Sequence, residues 1–251
     1  PPGPDRTAPV DLVDGHKCGR FTSTVISGVR AGPSAAWMQQ RLTAAGMRPI
    51  SNVVDASNYV MLELGKPIHT FDAAAVHAGG DGRATIVVRR AASGERLETL
   101  DHVVRDLDPE TLLIADPAGP LAIAGVMGGA SSEVSEATTS VVIESAIFDP
   151  VNIRRTAHRH ALRSEASSRF EKGQEFRLAR LGADQKTKLD RAWAGGEIAP
   201  GRVDTSQDEP APGRVAFRPA RVNRLLGTTL DAGEQRALLE RVEIATEPTP
   251  A

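Results

Sequence analysis

A single cysteine, Cys18, leaves no partner within 251 residues, which excludes an internal disulfide framework and fits a reducing compartment such as the cytoplasm. Charge of one sign is lacking as well: 30 Lys and Arg against 32 Asp and Glu give a formal net of −2. A chain so balanced has no global basic excess, so any contact with RNA is made by a local patch. No apolar run approaches the roughly 18 residues of a spanning helix, and no secretory leader is recognisable. No Ser/His/Asp arrangement or cysteine nucleophile stands out, and no Lys-Ser/Thr pair follows Gly128-Gly129 to make a nucleotide loop. What is present is an apolar fraction of 40%, enough for a core, in a length that suits one large domain or one domain plus part of another. The first residue is Pro1 and the last stretch, Glu247-Pro248-Thr249-Pro250, has no helix or strand character; the sequence reads as a piece of something longer.

The stretch from Leu121 to Asp149 organises the rest. Its first part is rich in glycine, with Gly125, Gly128 and Gly129, and its second part is the apolar run Val141-Val142-Ile143-Glu144-Ser145-Ala146-Ile147-Phe148. Glu144 breaks that run. Burying a carboxylate there costs several kcal/mol, roughly, unless it is hydrogen-bonded, so either strand alternation turns it outward or it lines a pocket. Three glycines in one short turn let a ligand approach the backbone and its amides. Turn and strand together are therefore expected to form the floor of a pocket for a small polar molecule.

The remaining elements follow from pattern. A strand is expected over 19–29, then a helix opened by Pro33-Ser34 with Trp37, Met38, Leu42 and Ala45 inward and Gly46 as its stop. A second helix, capped by Ser51 or Asn52, buries Val53, Val54, Val60, Met61 and Leu64. Its Asp55, Ser57, Asn58 and Tyr59 read as a hydrogen-bonding wall. Strands are expected over 84–90 and 112–114, with a hairpin around Leu100-Asp101-His102 between them. Asp149-Pro150 opens a helix to Leu162, and another runs over 174–194 with Leu178, Leu181, Leu189 and Trp193 inward. The tail reads as a strand over 215–217, a helix from Pro219 to Leu226 stopped by Gly227, and a helix from Asp231 to Val242. Short strands at this density with a few helices give an α+β class: a layered mixed sheet with packed helices, then a partial small helix-turn-helix-like unit.

Two features admit a bland reading beside a functional one. His69, between apolar neighbours, is either a structural hydrogen-bonder or a catalytic group. The run Arg154, Arg155, His158, Arg159, His160 and Arg163 is either a solvated helix face or a phosphate-binding one. His158, His160 and Glu165 lack the spacing of a helical zinc pair, so no metal ligand is assigned.

Assembled in order, Arg48-Pro49-Ile50, Asn58-Tyr59-Val60, His69-Thr70-Phe71-Asp72, Ala124 to Gly129, Phe148-Asp149-Pro150 and Arg163 to Glu171 resemble the bacterial phenylalanyl-tRNA synthetase β subunit. The resemblance covers the central editing domain, roughly Gly19 to Gly196, and departs from the family after Gly173, where Gln174-Glu175-Phe176 replaces the usual Val-Asp-Pro. It implies a linker over 1–18, a tRNA-editing domain over 19–198, a linker over 199–212 and a truncated helix-turn-helix-like domain over 213–251. The implied activity is hydrolysis of tyrosine mischarged onto tRNA(Phe). Glu144 and the Gly125 backbone would read the phenol. Arg48, Ser57, Ala124, Ser164 and Ala166 would line the pocket, a bulky residue at Ala166 or Gly125 would fill it, and His69 and Asn58 would orient the reaction. Arg154, Arg155 and Arg159 would meet tRNA. The implied assembly is a heterotetramer of two α and two β subunits in the cytoplasm, with no membrane or DNA partner. The α subunit carries aminoacylation, so ATP and magnesium belong to the complete enzyme and no cofactor to this segment. A non-catalytic RNA- or subunit-docking scaffold is the alternative.

Overall fold

The computed structural model describes residues 7–206, 211 and 213–248. It divides into two units, Pro1–Glu209 and Pro210–Ala251. In the first, two sheets pack face to face and helices cover the outer side of one of them. The first sheet holds β1 (Val10–Leu12), β4 (Ile86–Arg90), β7 (Leu112–Ala115), β8 (Pro120–Ile123) and β9 (Met127–Gly128) in that order, with β1 parallel to β4 and the other pairs antiparallel. The second is built on two long strands, β2 (Cys18–Ser27) and β10 (Ser140–Phe148), with β3 (His69–Asp72) beyond β10 and the short β11 (Glu197–Ile198) and β12 (Val203–Asp204) on the far side of β2. A separate hairpin joins β5 (Arg96–Glu98) to β6 (Val104–Asp106).

Period-two alternation explains why β10 is apolar throughout. Val142, Ala146 and Phe148 enter the core between the sheets with Ile114, Leu121 and Ile123, while Val141 and Ile143 enter a second core with Val53 and Ala194. Glu144 shares the parity of Val142 and Ala146, so its side chain stands on the inter-sheet face. The other face is covered by α2 (Asn52–Leu64) and α5 (Leu178–Trp193), with α1 (Ala36–Ala44) packed on α2. After β10 come α3 (Pro150–Arg159), capped by Asp149, and α4 (Glu165–Phe170), capped by Ser164.

Several expectations are corrected. Of the linker expected over 1–18, residues 1–6 lie outside the described residues and 7–18 are not a plain linker, since Ala8 is buried and β1 joins the first sheet. Nor is 199–206: β12 pairs with β2, and Arg20 forks onto Asp204 at 2.6 and 2.9 Å. Both segments satisfy backbone and charge that the sheet would otherwise leave open. Trp37 is 42% exposed and forms an edge-to-face cluster with Tyr59 and Trp193 at ring separations of 5.5–6.3 Å. The polar residues of α2 do not form one wall, because successive residues turn 100° around the helix. Asp55 accepts from Ser34 Oγ and the Ile50 amide, Ser57 meets Thr70, and Tyr59 meets Arg41. On α5, Leu181 is 53% exposed, and the inward face is Ala179, Gly182, Ala183, Lys186, Thr187 and Asp190. Close packing against α2 and the sheet is met by small residues at Ala179, Gly182 and Ala183, and by the paired Lys186 and Asp190 further along.

The second unit contains α6 (Pro219–Leu226), begun by proline and ended by left-handed Gly227, and α7 (Ala232–Glu240), opened by a reciprocal capping box between Asp231 and Glu234. Gln235 Nε2 donates to Asn223 Oδ1 at 3.2 Å and to the Leu230 carbonyl at 3.0 Å, tying the two helices. The strand expected over 215–217 does not form, having no neighbour to pair with among the described residues.

Candidate functional site

The turn between β8 and β9 folds down onto the edge where β10 meets β3. Gly125 sits there at φ +66°, and a Cβ on it would press at 3.0–3.1 Å on Ile153, Phe148 and Phe170. A substitution there would therefore strain the turn against the core, and would not simply fill the pocket. Gly128 serves a different need: its missing side chain makes room for His69, whose Cε1 would stand 2.5 Å from a Cβ. The turn is not a row of free amides. Ala124, Val126 and Gly129 already donate to Leu112, Ile123 and Leu121 carbonyls at 2.7–3.0 Å.

Between this turn and β10 lies a cavity of about 80 Å³, space for a few waters. Glu144 stands at its base, 6% exposed, opposite His69 in the β10–β3 register. The cavity is completed by Met127, Ala166 and Phe170. Burial pushes the Glu144 carboxyl up to about 7 against the opposing pull of the Lys66 charge, and among the described residues no donor hydrogen-bonds to it. Burial, with the Lys186 charge adding to it, pushes His69 down to about 4, so its imidazole is neutral near pH 7. A buried, unpartnered carboxylate beside a neutral imidazole is prepared to accept a hydrogen bond from a neutral donor.

Of the nine residues expected at the site, five border this cavity: His69, Ala124, Gly125, Glu144 and Ala166. One more supports its wall: Ser164 donates from Oγ to the Val126 carbonyl at 2.7 Å while capping α4. Ser57 lies 3.3 Å from Thr70 on the opposite, α2-covered face of β3. Asn58 and Arg48 do not border it; Asn58 is on α2 and Arg48 lies exposed in the loop before it. On α3, Arg154 and Arg155 are exposed, whereas Arg159 is paired with Asp108 at 2.9 Å.

Lys66 was missed. It is fully buried, donates to the Ala146 carbonyl and holds its ammonium 4.6 Å from the centre of the Phe170 ring. Burial pushes it down to about 7, opposed by Glu144 and Cys18. A lysine before a proline reads as an exposed turn, and only the combination Lys66-Pro67 immediately before a strand hints otherwise: proline has no N–H to offer a neighbouring carbonyl.

A wider open groove of about 450 Å³ is lined by Arg96, Leu97, Glu98 and Pro120. Its charges are already engaged, Arg96 with Asp106 at 3.0 Å and Glu98 with His102 at 3.3 Å, so it lacks the unpaired buried group that distinguishes the smaller cavity. Among the described residues no group of three His, Cys, Asp or Glu could hold a metal, and no helix is long and apolar enough to cross a membrane.

Residues 17–195 match a family model described as the B3/4 domain. The phenylalanine–tRNA ligase beta subunit of Moorella thermoacetica is 49% identical over 244 residues, 96% of this chain and 30% of that protein. Its counterpart in Geobacter sulfurreducens is 43% identical over 239 residues, 95% of this chain and 29% of that protein. The chain thus spans about 30% of the length of these curated relatives. The crystal structure of an N-terminal fragment of the phenylalanyl-tRNA synthetase beta-subunit from Pyrococcus horikoshii has a TM-score of 0.50, covering 94% of this chain and 64% of that one. At 14% identity this is a likeness of fold, and it agrees with the mixed α+β architecture. Matched by the family model over most of its length and by ligase beta subunits over nearly all of it, the chain belongs to the B3/4 domain family of phenylalanine–tRNA ligase beta subunits.

Proposed function

We propose that this chain proofreads: it hydrolyses the ester joining tyrosine to tRNA(Phe), while aminoacylation belongs to a partner α subunit in a heterotetramer. The supporting observation is Glu144, a buried carboxylate without a hydrogen-bond donor at the base of a cavity. Tyrosine differs from phenylalanine by one hydroxyl, and an apolar synthetic pocket rejects such an added hydroxyl by only about a hundredfold. A second site must therefore bind the hydroxyl, and an ionised carboxylate does so with a charge-assisted hydrogen bond. Phenylalanine would leave that carboxylate unpaired.

The cavity of about 80 Å³ is smaller than ligand pockets of about 300 Å³ and upward. Entry of an aromatic ring thus requires Met127 or Phe170 at its border to move. Asn58 stands on α2, which covers the other face of the sheet, so its orienting role requires the ester to pass around the edge strand β3. His69, with its basicity depressed to about 4, is a weak base near neutrality. Its role is to orient water and ester, with the terminal tRNA hydroxyl assisting the attack. The exposed Arg154 and Arg155 on α3 suit the tRNA phosphates. ATP and magnesium serve the complete enzyme; the described residues offer no fitting cluster for the metal, and no step here passes through it.

The test is to incubate the 251-residue chain with Tyr-tRNA(Phe) and with Phe-tRNA(Phe) and follow deacylation of each. The expected result is selective loss of the tyrosyl ester. Loss of both at the uncatalysed rate favours the docking-scaffold reading.

A further inference from the structure

The antiparallel pairing of β10 with β3 ends where His69 stands opposite Glu144; extended two residues further, the same register would bring Pro67, which precedes the strand, opposite Ala146. Proline has no N–H, so the Ala146 carbonyl at that point of β10 is left without its ladder donor. Lys66 fills the gap by donating its ammonium to that carbonyl. Three constraints fix the side chain: the Ala146 carbonyl, the Phe170 ring 4.6 Å away, and the bare backbone of Gly182, where a Cβ would fall 2.8 Å from Lys66 Cγ. Phe170 borders the cavity that holds Glu144. The Lys66 amine is thus held behind the cavity wall, on the carbonyl two residues along the same strand from Glu144.

Resting on the proofreading function proposed above, we infer that Lys66 is a positioning residue for Glu144, keeping the carboxylate ionised in its apolar setting and so setting the pH above which the cavity prefers tyrosine to phenylalanine. The other ionisable groups around the pair act in known directions. Cys18 on β2, its thiol pushed up to about 12 by burial and by Glu144, stays neutral. His69 on β3 is neutral near pH 7. On α5, Lys186 is compensated by Asp190, with which it forms a direct ion pair. Lys66 is therefore the cation to which Glu144 responds, and the two titrate as a coupled pair.

The experiment follows the Glu144 side-chain carboxyl carbon and the Lys66 ammonium nitrogen by NMR from pH 4 to 10 in the wild-type chain. It is repeated for the carboxyl in Lys66→Met and Lys66→Arg, alongside calorimetric binding of free L-tyrosine and L-phenylalanine, with thermal unfolding to confirm each variant is folded. In the wild type both signals should show both titration steps, and this arm needs no variant. In Lys66→Met the carboxyl midpoint should rise by at least about one unit, with tyrosine preference near pH 7 falling roughly tenfold and returning as pH rises. Lys66→Arg, which keeps the charge, should stay close to wild type. A Glu144 midpoint independent of Lys66, or tyrosine affinity lost equally at every pH, overturns the inference. A midpoint that moves as expected in a chain with no tyrosine preference at any pH overturns the proofreading reading, and the specificity role with it.

Discussion

Among the described residues, Lys66 and Lys186 are both fully buried, each with a carboxylate as its electrostatic counterpart, and the two arrangements are built in opposite ways. Lys186 and Asp190 lie four residues apart on α5, both fully buried and in direct contact. Burial pushes the lysine down and the aspartate up, and each opposes the other's shift. Lys66 and Glu144 come from different elements, interact through their charges without a direct hydrogen bond, and the carboxylate borders a cavity. The first pair is held in direct contact through one aspartate oxygen, the other enclosed without a donor and away from the cavity; the second leaves an acceptor at the cavity itself. Burial alone does not mark a functional acid. What marks one is burial without a partner, next to space.

If that contrast is right, removing a partner should have different consequences on the two sides. Asp190→Ala strands the Lys186 ammonium in the helix–sheet interface and should cost about 3–5 kcal/mol in urea unfolding, with tyrosine preference retained by the molecules that stay folded. A cost under about 1 kcal/mol would mean the pair is not the closed structural unit described.

A pH experiment sharpens the comparison next. The folded His69 holds its proton less tightly than an unfolded histidine, with a value lowered from 6.5 to about 4. Between those values the unfolded chain binds more protons, so His69 makes stability fall as pH drops through this window. Glu144, raised to about 7, has the opposite slope, stability falling as pH rises from about 4.5 to 7. Comparing wild type with His69→Gln isolates the histidine contribution, which should be on the order of 2–3 kcal/mol between pH 6.5 and 4. Parallel curves would show that His69 is not enclosed.

Glu144→Gln tests the open side directly. A hydrogen bond to a charged group is worth roughly 1.5–3 kcal/mol, so preference for tyrosine over phenylalanine should fall about 10- to 100-fold. His69→Ala should do least, slowing deacylation only in part, by about tenfold, as an orienting group would. Complete loss of hydrolysis with tyrosine binding intact would instead make His69 the general base.

The sequence disclosed the open side better than the closed one. Glu144 announced itself by interrupting an apolar strand, and the nearby glycines pointed to a close approach, which Gly128 makes to His69. The tail helices were legible because Pro219, Gly227 and Asp231 are local stop and start signals. Lys186 and Asp190 were not legible: an i,i+4 Lys–Asp pair looks the same on a solvated helix as on a buried one. Lys66 was hidden by its neighbour, since Lys-Pro suggests a turn and its role depends on a carbonyl 80 residues away. Trp37 misled for the converse reason, its size suggesting core when two other rings meet it at the surface. Short strands such as β1 and β12 escaped because they form only against partners distant in sequence.

Whether Glu144 reads the phenol is decided by a crystal structure of the chain soaked with L-tyrosine and, in parallel, with L-phenylalanine. The tyrosine ring is expected in the cavity beside Gly125 and Ala166, its hydroxyl about 2.5–2.7 Å from a Glu144 oxygen, with no ordered phenylalanine at the same concentration. A tyrosine bound elsewhere, or both amino acids seated alike with Glu144 turned away from the ring, would contradict that role.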